Sequence, residues 1–168
     1  MCRRFNGLIL AFALILSACT AGGDMQVTSV QAPPLLPAHP SVRLIVHPVV
    51  ANANDIVPLI SQALIGQLGA TGRFSQILAY DAPCDLWLTV EITKVAKVES
   101  YERYLIGPLA GRNRIDVTVR ITDPFSGAVL KTYNAEGNSA AESVLSGEGG
   151  MADAIRQLAL QVAVGATI

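Results

Sequence analysis

The stretch Leu86-Trp87-Leu88-Thr89-Val90-Glu91-Ile92-Thr93 decides the fold, because aliphatic side chains occupy every second position along it. Successive side chains of a strand point to opposite faces of the sheet, so one face of this strand is aliphatic and the other largely polar. The same period returns in residues 114–122, whose apolar row is Ile115, Val117, Val119 and Ile121. Two such strands predict an antiparallel sheet with one buried face and one face in water.

A turn follows the second of these strands. Asp123-Pro124-Phe125-Ser126-Gly127 has proline and glycine where a β-turn favours them, and residues 128–135 return as a third antiparallel strand. Near the end of the chain, apolar residues recur at helical spacing, which predicts a helix with one apolar side. These residues are Met151, Ala152, Ile155, Leu158, Ala159 and Val162. This helix is expected to cover the aliphatic face of the sheet.

Ahead of the alternating strands, the pattern is strand, helix, strand. Residues 42–50 are nearly all apolar, as in a strand that other layers cover. Residues 56–68 carry an apolar helical stripe, with Pro58 in the first turn and capping side chains expected from residues 52–55. A short strand over residues 74–79 should lie parallel to the first, because a strand–helix–strand connection crosses over with a right hand.

These elements predict an α+β domain over residues 42–168. Its single mixed, largely antiparallel sheet has about five strands, with two helices on one face, in the order β-α-β-β-β-β-α. Residues 19–41 are rich in proline and carry few charges, which predicts an extended tether. About twenty extended residues at ~3.1 Å each would give this tether a reach on the order of 60 Å.

The amino-terminal end has the composition of a secretory signal. Arg3 and Arg4 precede an apolar run from Leu8 to Leu16, and small residues follow it. The alternative is an uncleaved membrane anchor, but residues 7–18 fall short of the roughly 20 apolar residues that span a bilayer. We therefore expect residues 1–18 to be removed as a signal peptide.

The segment Leu16-Ser17-Ala18-Cys19 resembles the lipobox of bacterial lipoproteins. The resemblance implies cleavage before Cys19, a thioether-linked diacylglycerol on its sulfur and an acyl chain on the new amino terminus. Thr20 stands where an aspartate retains enterobacterial lipoproteins in the inner membrane, so the resemblance favours the outer membrane, facing the periplasm. The lipid chains would be the protein's only prosthetic group and its attachment to the membrane.

Charge and metal-ligating residues limit the classes of function. Removing Arg3 and Arg4 from the 12 Lys and Arg leaves 10, against 13 Asp and Glu, so no basic surplus is available for nucleic-acid phosphates. Cys84 alone would remain as a free thiol, and we expect it to be a small buried apolar residue. With only His39 and His47 and no metal-ligand spacing, no metal site is predicted.

Two surfaces are candidates for partner binding. Residues 97–114 form a longer connection than a hairpin needs and contain Tyr101, Arg103 and Tyr104, which are residue types common in binding anchors. Arg114 and Arg120 stand on the polar face of the sheet. The alternatives are tyrosines that pack on the sheet within a longer hairpin, and a solvated face whose charges pair across strands.

Catalytic motifs are absent from the sequence. It contains no Gly-x-Ser-x-Gly, no recognisable Ser/His/Asp set and no phosphate-binding loop. We therefore expect a protein that is not an enzyme. Carboxylates that meet only in the folded chain would leave a hydrolase or a small-ligand binder as the alternative, with a site near the glycine loop at 107–111.

Several short motifs resemble those of a family of uncharacterised bacterial envelope lipoproteins. They are Gly72-Arg73-Phe74-Ser75-Gln76-Ile77, Cys84-Asp85-Leu86-Trp87-Leu88, Arg103-Tyr104, the glycine loop 107–111 and Asp123-Pro124-Phe125-Ser126-Gly127-Ala128-Val129-Leu130. The resemblance covers residues 42–166, and Pro108-Leu109 departs from the family's compact glycine loop. In shape, the family is similar to the amino-terminal domain of TolB, the curli secretion lipoprotein and the lipoprotein activator of penicillin-binding proteins. The resemblance implies a fold and a location in the envelope but no reaction. Two classes of function remain: a tethered module that docks onto an envelope protein as its partner, and an envelope enzyme or small-ligand binder.

Overall fold

The computed structural model describes residues 25–30, 36–78, 81–98, 111–139 and 150–166. Within these ranges the chain forms six strands, two α-helices and a short 3-10 helix at Ala51–Ala53. The elements in chain order are β1 (Met25–Val30), β2 (Val42–Pro48), α1 (Val57–Ala70), β3 (Ile77–Leu78), β4 (Leu86–Ala96), β5 (Arg114–Thr122), β6 (Val129–Asn138) and α2 (Gly150–Gly165). The predicted α+β class is confirmed, with a sheet one strand larger than expected.

All six strands belong to one sheet in the order β1-β6-β5-β4-β2-β3. β2 is parallel to β3, as the crossover predicts, and it is also parallel to β4. The remaining pairs are antiparallel. The two alternating strands pair with Val90 opposite Val119, so their apolar rows lie on the same face. The long antiparallel centre and the parallel edge make the sheet mixed, as the sequence predicts.

The core lies between the apolar face of the sheet and the two helices. Alternate residues of β4 and β5 are buried, and α1 contributes Ile60, Leu64 and Leu68. α2 packs closely against β6 at Gly137, where a Cβ would overlap the carbonyl oxygen of Ala154. Beside this contact the fully buried Tyr133 donates its hydroxyl proton to Val162 O at 2.8 Å. Burial raises the pKa of Tyr133, so its phenol stays a hydrogen-bond donor.

The start of α1 differs from the expectation of side-chain capping. Its N-cap is Ile56, which makes no side-chain capping bond, and Asn52 instead donates to Val95 O at 3.1 Å. Pro58 does occupy the first turn. Proline lacks one of the N–H groups that a cap would satisfy, which lowers the need for a capping side chain. Asn52, one of the residues expected to cap the helix, therefore ties the segment before α1 to the end of β4.

The sixth strand, β1, lies inside the segment for which the sequence predicts a tether. Met25 pairs with Ala135 and Val30 with Lys131, so the strand extends the sheet beyond β6. The tether prediction is wrong for residues 25–30, because the open edge of β6 offers backbone partners to a segment with β-branched residues. The lipobox lies outside the described residues. None of the described helices has the length and hydropathy to cross a membrane.

The turn between β5 and β6 forms as the sequence predicts. Asp123 accepts hydrogen bonds from Phe125 N at 2.9 Å and from Ser126 Oγ at 2.6 Å, and Gly127 has a φ of 70°. These bonds, that from Ser126 above all, lower the pKa of Asp123. Cys84 is a buried free cysteine, as expected for a small apolar residue at the start of a strand.

Candidate functional site

The polar face of the sheet is the candidate site, because both helices lie on the opposite face. Arg114, Asp116, Thr118 and Arg120 project from β5 onto this face, between polar residues of β4 and β6. None of these four is buried, in contrast to the apolar residues that alternate with them. Arg114 and Arg120 therefore lie on the predicted face.

Arg114 joins two carboxylates that would otherwise repel each other. Asp116 and Glu136 are directly opposite across β5 and β6, an unfavourable position for two like charges. Arg114 Nε lies 2.7 Å from Asp116 Oδ1, and Arg114 Nη2 lies 2.7 Å from Glu136 Oε2. Asn138 also donates to Glu136. The hydrogen bond to Asp116 raises the pKa of Arg114, which keeps the guanidinium charged beside the two carboxylates.

A trough of about 330 Å³ runs beside this cluster on the polar face. Its walls are mainly polar: Gln26, Thr93, Arg114, Asp116, Val117, Thr118, Asn134, Ala135 and Glu136. Thr118 donates its hydroxyl proton to Asn134 Oδ1 at 3.0 Å, which orders the floor of the trough. The trough offers donors and acceptors at fixed positions, which suits recognition of a polar surface or a small polar molecule. Among the described residues, no group of three or more His, Cys, Asp or Glu side chains could hold a metal ion.

Arg120 belongs to a separate pair. Its Nη1 lies 3.0 Å from Glu91 Oε1 on β4. It lies six positions along the strand from Arg114, a distance of about 20 Å at ~3.3 Å per residue. The structure therefore places both arginines on one face but does not bring them into one site.

Sequence reasoning missed a buried polar anchor at the base of the long β4–β5 connection. Asn113 Oδ1 accepts from Val98 N at 2.8 Å, and Asn113 N donates to Ser139 Oγ at 3.1 Å. Ser139 N returns a hydrogen bond to Asn113 O at 3.0 Å. Asn113 is only 4% exposed. This anchor fixes the points from which two connections leave the sheet, those of residues 99–110 and 140–149.

The remaining predicted site residues, Cys19, Tyr101, Arg103 and Tyr104, lie outside the described residues. The structure therefore gives no geometry for the lipidation site or for the aromatic residues of the loop. What it does give is the base of that loop, where Gly111 has a φ of 92° and lies beside Val98.

A second missed contact joins the starts of β2 and β4. Asp85 Oδ2 accepts from Ser41 N and from Ser41 Oγ, each at 2.7 Å, and Asp85 N donates back to Ser41 Oγ at 3.1 Å. These bonds, the side-chain one first, lower the pKa of Asp85. The two residues are 44 positions apart, so no local pattern could have linked them.

Solved structures with a similar fold include PelC from Paraburkholderia phytofirmans, a dodecamer. The TM-score is 0.63 at 15% identity, over 88% of this chain and 100% of the PelC chain. A second crystal form of the PelC dodecamer gives 0.62 at 14% identity. A Xanthomonas campestris protein of the DUF330 family gives 0.51 at 12% identity, over 81% of this chain and 88% of its own. At these identities the likeness shows the fold alone.

No curated protein matches the sequence significantly. A family profile, described as a domain of unknown function, does match residues 48–143. This range runs from the end of β2 to beyond β6 and covers more than half of the chain. The expectation of an uncharacterised family is thereby confirmed: the chain belongs to the DUF4410 family.

Proposed function

We propose that this protein is a lipid-anchored lipoprotein of the bacterial envelope and acts there as a non-catalytic interaction module. In this proposal Cys19 carries the lipid, the protein sits on the outer membrane facing the periplasm, and the domain serves an assembly, secretion or cell-wall complex. A protein partner binds the polar face of the sheet and the β4–β5 connection.

The observation that carries the proposal is the match to the complete chain of PelC, which assembles as a dodecamer. In that protein, this fold makes protein–protein contacts. In the present chain, both described helices lie on one side of the sheet, and neither covers the polar face. Residues that are already held in place lose little entropy on binding, which favours a preformed docking surface.

The charges of the polar face support a role in setting register more than in supplying affinity. The Arg114 and Arg120 side chains are 43% and 47% exposed, and ion pairs at such positions contribute roughly 0–1 kcal/mol each. Complementary charge on a partner steers the encounter and fixes the orientation. Tyr101, Arg103 and Tyr104 have the chemistry of anchors, and in this proposal they supply the apolar contact beside the polar face.

Crosslinking in intact cells tests this proposal. A photoreactive residue replaces Asn134, which is exposed in the trough, and in a control strain it replaces Gln62, which is exposed on the helical side. We expect a discrete protein adduct from position 134, with no equivalent adduct from position 62. In a third strain the photoreactive residue replaces Tyr104. The proposal is wrong if neither position 134 nor position 104 yields a protein adduct while the protein remains in the membrane fraction.

A small-ligand binder or hydrolase is the second candidate, and the trough favours it. Its volume of about 330 Å³ falls at the lower end of ligand pockets, roughly 300–1,000 Å³. Arg114 lines the trough, and in the sequence it follows the glycine loop at 107–111 closely. Native mass spectrometry of the purified full chain distinguishes the two functions. A co-purifying small molecule that Arg114→Ala abolishes supports this second candidate, and a polypeptide adduct supports docking.

A further inference from the structure

The outer surface of the helical layer is unusually apolar for a face in contact with water. α1 has no charged residue, and the uncharged stretch extends from Ile56 to Gly72. Its exposed side includes Leu59 and Ile65, whose side chains are 53% and 38% exposed. Its polar residues Ser61, Gln62 and Gln67 are uncharged, and contiguous exposed apolar patches mark surfaces that contact a protein or a membrane. The outer side of α1 therefore indicates a surface that is covered in the cell.

α2 continues this surface. Its exposed row contains Leu160 and Val164, at 40% and 60% exposure. The starts of the two helices meet around Leu59 and Met151 and their ends around Ala70 and Val164, so they run side by side in the same direction. Between them lies a groove that we call the helical valley. Its walls are Leu59, Ala63, Gln67, Ala70, Met151, Ile155, Leu160 and Val164.

Two of the described residues that line the helical valley are charged, and both are arginines. Arg73 and Arg156 flank it. The acidic residue of α2, Asp153, lies 2.7 Å from Arg156. Asp153 therefore compensates the charge of Arg156, and Arg73 is the cation that this apolar surface would direct to lipid phosphates in the membrane interface.

β1 brings the proposed anchor close to this surface. The Met25 side chain lies against α2, since a Cβ at Gly165 would be 2.8 Å from Met25 Sδ. Only residues 20–24 separate Met25 from Cys19. This segment spans at most about 20 Å when fully extended, whereas a helix is only about 10 Å across. A lipid on Cys19 therefore reaches the bilayer with the outer side of α2 within contact distance of it.

We infer that the helical valley rests on the surface of the lipid bilayer. The inference depends on the proposed lipidation of Cys19 and adds an orientation to it. The apolar residues of α1 and α2 bury against the acyl-chain boundary while Arg73 meets the headgroups. The sheet then lies above the helices, and its polar face points away from the membrane towards periplasmic partners.

Site-specific fluorescence in vesicles tests the inference with the lipidated full chain. Val164→Cys receives an environment-sensitive dye, and Phe125→Cys, at 86% native exposure, is the matched control at the β5–β6 turn. The vesicles contain phosphatidylethanolamine and phosphatidylglycerol. We expect quenching by a water-soluble quencher to fall several-fold at position 164 relative to the unlipidated Cys19→Ser protein in solution, with no change at position 125. Adding Leu59→Glu on the opposite wall should restore quenching at position 164.

The possible results separate this inference from the anchor on which it depends. Mass spectrometry that finds Cys19 lipidated, together with unchanged quenching at position 164, overturns the orientation alone. An unmodified Cys19 overturns both the anchor and the orientation. Protection at position 164 in Cys19→Ser protein without vesicles shows that a second copy or another protein covers the valley, and this also overturns the inference.

Discussion

The polar face of the sheet and the helical valley are opposite surfaces of one thin domain, and they differ in how their side chains are satisfied. On the polar face, Arg114 and Arg120 each have a carboxylate within 3.0 Å. In the valley, Leu59 and Val164 are more than half exposed. Exposed charges that pair within the chain are stable in water without a neighbour, whereas a continuous apolar surface is stabilised when something covers it. The comparison indicates that the valley is the surface that needs a permanent neighbour.

Gly137→Ala should have the largest effect on stability, because it disrupts the close contact between β6 and α2. The new Cβ would overlap the Ala154 carbonyl oxygen and lie 2.7 Å from Leu158 Cβ. The backbone of α2 cannot rotate away as a side chain would. We therefore expect the free energy of unfolding to fall by about 3 kcal/mol or more. Thermal or denaturant unfolding of the full chain measures the loss.

Gly66→Ala is the matched control for that substitution. The position lies inside α1, and a Cβ there would meet nothing within 4 Å. Alanine is the better helix former, so this variant should gain roughly 0.5–1 kcal/mol. Equal losses in the two variants would show that the close contact between β6 and α2 is not what holds the helical layer on the sheet.

Asn113→Ala should have the next largest effect, because it removes the side-chain acceptor of the Val98 N–H at the base of the β4–β5 connection. The Val98 N–H loses its acceptor in a part-buried site, so we expect the free energy of unfolding to fall by about 1 kcal/mol. Asn134→Ala, on the exposed polar face, should stay within about 0.5 kcal/mol of the parent. Chemical denaturation compares the two. A similar cost at both positions would remove the distinction between a buried anchor and a solvated surface.

The sequence predicted the central strands and the two helices because their periods of two and 3.6 are visible locally. It missed β1, since prolines and glycines around residues 25–30 obscured a short run of β-branched residues. It placed Arg114 and Arg120 on the correct face but could not show that they belong to separate charge clusters. Asn113 and Ser139 gave no signal, because their partnership depends on strand register between β5 and β6.

Arg114→Gln tests whether ion pairs within the chain stabilise the charged residues of the polar face. Without the guanidinium, Asp116 and Glu136 face each other across the strands with no cation between them. We expect the free energy of unfolding to fall by about 1 kcal/mol. The loss is small because the charges are exposed to solvent, and added salt should make it smaller. Arg120→Gln removes a single ion pair and should cost less. Unfolding at low and high ionic strength measures both, and equal, salt-independent losses would contradict the electrostatic account.

The smallest expected effect is the change in pH-dependent stability on replacing Asp85, which contacts Ser41 at the starts of β2 and β4. Hydrogen bonds from Ser41 hold the pKa of Asp85 below its ordinary value of 3.8 in the folded chain. The unfolded chain therefore binds a proton at a higher pH than the folded chain, and stability rises with pH in this range. The contribution is complete above the unfolded pKa and is lost as pH falls through the folded pKa. In Asp85→Asn the side chain no longer titrates, so melting temperature should depend less steeply on pH below about 4. Parallel melting curves for the two proteins throughout that range would show that the carboxylate of Asp85 contributes nothing to holding β2 against β4.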